Sequence, residues 1–136
     1  MNTRLALLLF VLTLIQGIQS YCVYNKMSDD TSFNIAQSSG KDITTRLFKK
    51  YLKKDAKECC PYTTWSCNSR PISYDETYFT IKFDFASGHK TYPFGAKCTS
   101  GGGLAIYGTA EGFWAECTLA NGTMISTHLF RDILKL

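Results

Sequence analysis

The sequence predicts an all-β fold, a small disulfide-stabilised antiparallel β-sandwich or barrel. Two observations support this fold class. Apolar and polar residues alternate with a period of two in the second half of the chain, and turn-forming residues recur about every ten residues. The six cysteines of this 136-residue chain add the expectation of disulfide bonds.

The clearest strand begins at Thr77. Phe79, Ile81, Phe83 and Phe85 alternate with polar residues, which describes a half-buried strand. Turn signals then separate four further predicted strands, at 92–98, 104–107, 113–119 and 124–130. Pro93 lacks a backbone donor, so the strand that contains it is expected at a sheet edge or as an irregular strand. Asn121-Gly122 predicts a hairpin with a type I′ turn, in which both central residues have positive φ.

Two more strands are predicted near the start of the mature chain, at 21–24 and 32–36, with a polar turn over 27–31. No repeat or low-complexity linker interrupts the sequence. We therefore expect a signal peptide at 1–20 and a single cysteine-rich β domain at 21–136.

The signal peptide follows from the N-terminal pattern. Arg4 precedes an apolar run, Leu5–Ile15, and Ser20 is a small residue suited to the cleavage site. The run is shorter than the roughly 20 residues that a membrane-spanning helix needs. The expected localisation is secreted and extracellular. The formal net charge of +4 is too mild to indicate nucleic acid, and none is expected as a partner.

The cysteines of an exported domain are expected to form three disulfides. Cys59 and Cys60 are adjacent and are not expected to bond to each other. Several pairings remain open; the preferred one joins Cys22 and Cys67 to this adjacent pair and Cys98 to Cys117. A metal site is disfavoured because no Cys-x-x-Cys pair occurs and the two histidines lack ligand-like spacing, so neither metal nor cofactor is expected.

A basic segment departs from the strand pattern. If the chain is helical over 43–57, its cations share one helical face: Arg46, Lys49, Lys50, Lys53, Lys54 and Lys57. Such a helix could bind an anionic membrane or polysaccharide, although a solvated surface helix explains the same pattern. A hairpin that turns at 53–55 is the other alternative. These cations are candidate binding residues.

Three short motifs resemble a loose group of small secreted, cysteine-rich proteins of fungi. They are Tyr21-Cys22-Val23-Tyr24-Asn25, Cys59-Cys60-Pro61-Tyr62 and Cys67-Asn68. The resemblance covers about the first half of the mature chain. It implies a β-rich secreted fold, a role as an effector or antimicrobial protein, and a hairpin rather than a helix over 46–58.

Catalytic chemistry has little support in the sequence, and we expect no enzyme. His89 lies in a predicted turn, and His128 shares a predicted strand with Ser126. Four acidic residues could supply a pair of glycosidase carboxylates, but no spacing among them indicates one: Glu76, Asp84, Glu111 and Glu116. Disulfide formation also removes the thiols as nucleophiles.

The sequence contains more features that indicate binding than features that indicate catalysis. Several aromatic residues with polar edges suit stacking on sugars or protein recognition: Tyr62, Trp65, Tyr74, Tyr78, Tyr107 and Trp114. Trp65 lies in a short loop between cysteines and is a candidate binding residue, whereas Trp114 is expected in the core. Asn121-Gly122-Thr123 is a glycosylation sequon on a predicted hairpin.

The sequence therefore predicts a secreted binding protein, an effector or defence protein that acts on another organism. Its expected partner is a protein or glycan outside the cell. The first alternative is a membrane-active antimicrobial or toxin-like protein that uses residues 46–57 on an anionic membrane surface. The second is a small secreted hydrolase that would depend on His128 or Glu116.

Overall fold

The computed structural model describes residues 20–38, 48–61, 67 and 74–131. The predicted signal peptide, residues 1–20, lies outside these residues except for its last position. The described residues form ten strands: β1 (Ser20–Met27), β2 (Ser32–Ser38), β3 (Lys49–Leu52), β4 (Lys57–Pro61), β5 (Glu76–Asp84), β6 (Phe94–Thr99), β7 (Gly103–Thr109), β8 (Gly112–Thr118), β9 (Met124–Thr127) and β10 (Phe130–Arg131). The predicted all-β fold class is confirmed.

The strands form two five-stranded sheets that pack face to face. The first sheet has the order β4-β1-β7-β8-β9, and the second has the order β10-β6-β5-β2-β3. All strand pairs are antiparallel except β1 and β7, which pair in parallel. The sheets are thus mostly antiparallel, as predicted, with this one exception among the described pairs. Long stretches of chain separate β1 from β7, so the connection that a parallel pair requires is available.

The core lies between the sheets and follows the alternation read from the sequence. In β5, Phe79, Ile81 and Phe83 are buried, while Tyr78 and Lys82 are exposed on the other face. Aromatic rings from the two sheets meet in this core: the rings of Phe83 and Phe113 are 4.5 Å apart, and those of Tyr21 and Phe79 are 5.4 Å apart.

Three disulfides fasten this sandwich: Cys22–Cys59, Cys60–Cys67 and Cys98–Cys117. They have the pairing preferred from the sequence. Cys22–Cys59 joins neighbouring strands of the first sheet, and Cys98–Cys117 crosses the core from β6 to β8. Three disulfides in so small a protein are consistent with an extracellular location.

The strands differ from the predicted ones in two places. Pro93 precedes β6, which lies between β5 and β10 and is not an edge strand, so the missing donor never interrupts a ladder. The predicted strand at 124–130 is two strands: β9 belongs to the first sheet and β10 to the second. His128 and Leu129 make the crossing between them.

The basic segment is extended, and the helix considered over 43–57 is absent from its described part, residues 48–57. β3 pairs with β2 in the second sheet, whereas β4 pairs with β1 in the first. The two strands and the turn at 53–55 that the hairpin alternative predicts are present. The strands do not pair with each other, however, so the segment crosses from one sheet to the other. Tertiary pairing and two disulfides outweigh the helical spacing of the lysines. Within the described residues, no helix is long and apolar enough to span a membrane.

Candidate binding face

The outer face of the first sheet carries a groove of about 590 Å³. Its floor is β7, where Gly103 and Ala105 point outward and Leu104 and Ile106 point into the core. The neighbouring strands carry larger outward side chains at the same level: Cys22 and Tyr24 on β1 and Glu116 and Thr118 on β8. The small side chains of a central strand therefore make the depression.

Aromatic side chains with polar edges bound this groove. Tyr24 lies on one side, and Tyr107 lies farther along β7 beside Lys26. Tyr107 is stacked on Trp114 of β8, with ring centroids 5.7 Å apart and an angle of 14° between the planes. The ammonium of Lys57 lies 5.2 Å from the centroid of the Tyr24 ring. Two rings thus face the groove region, each supported by a neighbouring side chain.

Gly103 makes room for the Tyr24 ring. A Cβ added at Gly103 would lie 3.2 Å from a ring carbon of Tyr24, closer than an ordinary van der Waals contact. The glycine run before β7, Gly101 and Gly102, continues the groove at that end. This run keeps that end of the floor free of side chains.

The hairpin between β8 and β9 forms the opposite rim, through Leu119, Ala120 and Gly122. The N–H of Gly122 donates to the carbonyl of Leu119 at 2.9 Å, which makes Ala120 and Asn121 the central residues of the turn. Gly122 has a φ of +86°, and Asn121 does not have a positive φ. The hairpin is at its predicted place, but the predicted type I′ turn is wrong: a longer loop needs only one left-handed residue.

Asn121 itself is exposed at the tip of this hairpin. Its side-chain oxygen accepts a hydrogen bond from the N–H of Thr123 at 2.9 Å. The sequon is thus at the surface, on the rim of the groove, and its glycosylation stays a prediction.

The predicted cation set does not share one face. Arg46 lies outside the described residues. Lys49 is on the outer side of the second sheet, next to Ala36 of β2. Lys50 points to the sandwich edge, where its ammonium lies 3.6 Å from the carboxylate of Glu58. Strand alternation and the crossing between sheets separate side chains that a helix would have aligned.

The remaining lysines of that set lie at the bend and on β4. Lys53 and Lys54 are exposed, and Lys54 bonds to the carbonyl of Ser28 and lies 3.7 Å from the carboxylate of Asp30. Lys57 is the one cation among the described members of the set that reaches the groove region, through its contact with Tyr24. The set therefore contributes one residue to the candidate face.

The position of Trp114 differs from the one predicted from the sequence. It was expected in the core, but 51% of its surface is exposed, because it occupies an outward position of β8. Tyr78 is exposed on the second sheet, where its hydroxyl donates to Glu76, and Tyr74 is exposed before β5. Tyr62 and the candidate Trp65 lie outside the described residues.

The candidate acid–base groups are dispersed over the described structure. His89 and His128 are both exposed, in the turn after β5 and between β9 and β10. Glu76 bonds to the Lys97 ammonium at 3.0 Å; this bond, with a further one from Tyr78, lowers the pKa of the Glu76 carboxyl. Among the described residues, no group of three or more His, Cys, Asp and Glu side chains could hold a metal.

Sequence reasoning missed Tyr24, Lys26 and the small residues of the floor as functional candidates. The signal that could have found them is the outward series Gly103, Ala105, Tyr107 along one predicted strand. That series forms a groove only because β1 lies beside β7. The parallel pairing of these two strands cannot be predicted from a local sequence pattern.

These features define a class of protein: a disulfide-bonded, all-β sandwich with an open, aromatic-lined groove on one sheet. Comparison of the chain with protein-family models, with curated proteins and with solved structures gave no significant match.

Proposed function

We propose that this protein is a secreted binding protein, an effector or defence protein that acts on the surface of another organism through the groove of the first sheet. The observation that carries the proposal is the groove itself. Its floor of small residues is bordered by the half-buried rings of Tyr24 and Tyr107 and by the exposed ring of Trp114. Such rings are typical of recognition surfaces, because they offer large contact area at low entropic cost.

The charged groups near the groove also favour binding over chemistry. Lys26 and Lys57 are the cations beside it, and Glu116 is the nearest outward carboxylate on β8. Among the described residues, the positions opposite Glu116 on β7 and β9 are Ala105 and Ser126, so no second acid–base group is in register with it, and a hydrolytic pair needs two. The proposal of a secreted hydrolase is therefore the weaker one.

The membrane-active alternative rested on an amphipathic basic helix over 46–57. Its described part is two strands in different sheets, and Lys50 and Lys54 lie beside carboxylates. We therefore assign binding to the groove and not to the basic segment.

A cell-surface binding assay tests the proposed function. The disulfide-bonded, fluorescently labelled protein is added to plant, fungal and bacterial cells, and bound protein is measured against concentration. We expect saturable binding to at least one cell type and about tenfold weaker binding of Tyr107→Ala, because aromatic residues dominate binding energies.

Tyr92→Ala is the matched control, since Tyr92 is exposed and lies outside the groove. It should bind like the wild type. The proposal is wrong if no cell type binds the protein saturably, or if Tyr92→Ala and Tyr107→Ala lose binding equally.

A further inference from the structure

We infer that the ligand of the groove is a carbohydrate, an oligosaccharide whose sugar rings lie along β7 between Tyr24 and Tyr107. This inference rests on the proposed function and gives it a ligand class. It depends on three features of the groove: its floor, its walls and the hydrogen bonding of the strand beneath it.

The floor suits a flat, rigid ligand. Gly103 and Ala105 leave the backbone of β7 close to the surface, and Gly101 and Gly102 extend this low path beyond the strand. The volume of about 590 Å³ lies within the range of sites that take small molecules, roughly 300–1,000 Å³. The Tyr24 ring lies against Gly103, so a sugar ring would rest on the floor at Ala105 and beside the Tyr24 ring.

The walls suit a ligand that is apolar on its faces and polar at its edges. A pyranose ring has C–H groups on its faces and hydroxyls around its rim. Tyr24 and Tyr107 offer aromatic faces for the first and phenol hydroxyls for the second. Lys26 and Thr118 add a cationic donor and a hydroxyl on the two sides of the floor.

The strand beneath the groove argues against a peptide ligand that adds a strand to the sheet. β7 is paired along one side with β1 and along the other with β8. Strand addition requires an unpaired edge, so a peptide cannot dock on β7 through its backbone. Recognition must use side chains and ring faces, which is how an oligosaccharide is held.

Affinity electrophoresis with defined polysaccharides tests the inference. The disulfide-bonded protein runs in native gels that contain β-1,3-glucan, glycol chitin, xyloglucan, mannan or polygalacturonate. We expect retardation in at least one gel, and at least about tenfold weaker binding for Ala105→Leu, whose larger side chain fills the floor.

The matched control is Ala36→Leu, the same change at an outward position of β2 on the other sheet. It should migrate like the wild type. Tyr107→Ala serves as a second groove variant, so the result does not depend on how β7 accommodates leucine. Circular dichroism and mass spectrometry verify the fold and the three disulfides of each variant.

Two results would overturn the inference. If no polysaccharide retards the wild type while Ala105→Leu still loses cell-surface binding, the inference of a carbohydrate ligand is wrong and the proposed function stands. If retardation occurs and both groove variants retain it, the carbohydrate binds elsewhere. If the wild type shows neither saturable cell binding nor retardation, the proposed function is contradicted as well.

Discussion

Asn25 is a polar residue in the core that ties three segments together. Its surface is completely buried, and its amide nitrogen donates to the carbonyls of Thr31 and Leu52 at 3.0 and 3.1 Å. Its side-chain oxygen accepts from the N–H of Met27 at 3.1 Å. The carbonyl of Asn25 also accepts a bond from the N–H of Asp55 in the bend before β4. One residue thus holds the bend of the basic segment against β1.

Asn25→Leu is expected to lower the free energy of unfolding by about 3 kcal/mol or more, since each buried group left without its bond costs roughly 1–3 kcal/mol. Urea unfolding measures the change. Asn34→Leu on the exposed face of β2 is the control and should change stability little. A loss below about 1 kcal/mol for Asn25→Leu would be smaller than the cost of a single buried group left without its bond. It would mean that these bonds do not hold the bend.

Asp29 connects two turns at one end of the sandwich. Its carboxylate accepts hydrogen bonds from the N–H groups of Thr31 and Ala110, at 3.2 and 2.9 Å. Partial desolvation raises the pKa of Asp29, but the bonds from Thr31 and Ala110 outweigh it and leave the pKa below its usual value. The folded state therefore favours the ionised carboxylate.

A lowered folded pKa gives a definite pH dependence. The stabilisation from Asp29 is present above the pKa of the unfolded chain and is lost as pH falls through the lower pKa of the folded protein. We expect Asp29→Asn to flatten the acid-side fall in melting temperature. Glu111→Gln changes an exposed carboxylate that follows Ala110 in the turn between β7 and β8, and it should leave the profile unchanged. Identical profiles for wild type and Asp29→Asn would contradict this role.

At the scale of elements, the alternation of β5 and the positions of most later strands could be predicted, because a half-buried strand has a direct sequence signature. The basic segment could not. Its lysines have helical spacing, yet β3 and β4 belong to different sheets, and the pairing that decides this comes from residues distant in the chain. Trp114 was misassigned for a related reason: a residue type does not tell which face of a strand it occupies.

The crossing of the basic segment predicts its behaviour on membranes. Because β3 and β4 are paired to different sheets and the Cys22–Cys59 disulfide fixes β4 to β1, we expect no helix to form on anionic vesicles and no dye release at micromolar protein. Leakage that disappears when Lys49, Lys50, Lys53 and Lys54 are neutralised would contradict this and would favour the membrane-active alternative.

For the whole molecule, the two sheets are held by the aromatic core and by one disulfide that crosses it. Cys98 and Cys117 are both buried, and they join β6 of the second sheet to β8, whose outer face borders the groove. Their pairing could be preferred from the sequence because the adjacent Cys59 and Cys60 are not expected to bond to each other, which reduces the number of possible pairings. The groove could not be predicted, since it requires β1 and β7 to lie side by side.

Removing this crossing disulfide, with Cys98→Ala and Cys117→Ala together, should lower the free energy of unfolding by roughly 2–4 kcal/mol. Its two cysteines are separated by 19 positions, against 7 for Cys60 and Cys67, so the same double change at the shorter loop should cost less. Denaturant unfolding of both variants provides the comparison. The reverse order of stability would show that loop closure does not set their contributions.

Hydroxyl-radical footprinting of the protein bound to cells tests most directly whether the molecule works through its first sheet. Tyr24, Tyr107 and Trp114 border that groove, while Tyr51 and Tyr78 are exposed on the opposite sheet and report on the other face of the same molecule. We predict that binding reduces oxidation of the first group and leaves the second unchanged. Protection of Tyr51 and Tyr78, with Tyr107 and Trp114 oxidised as in the free protein, would contradict the account.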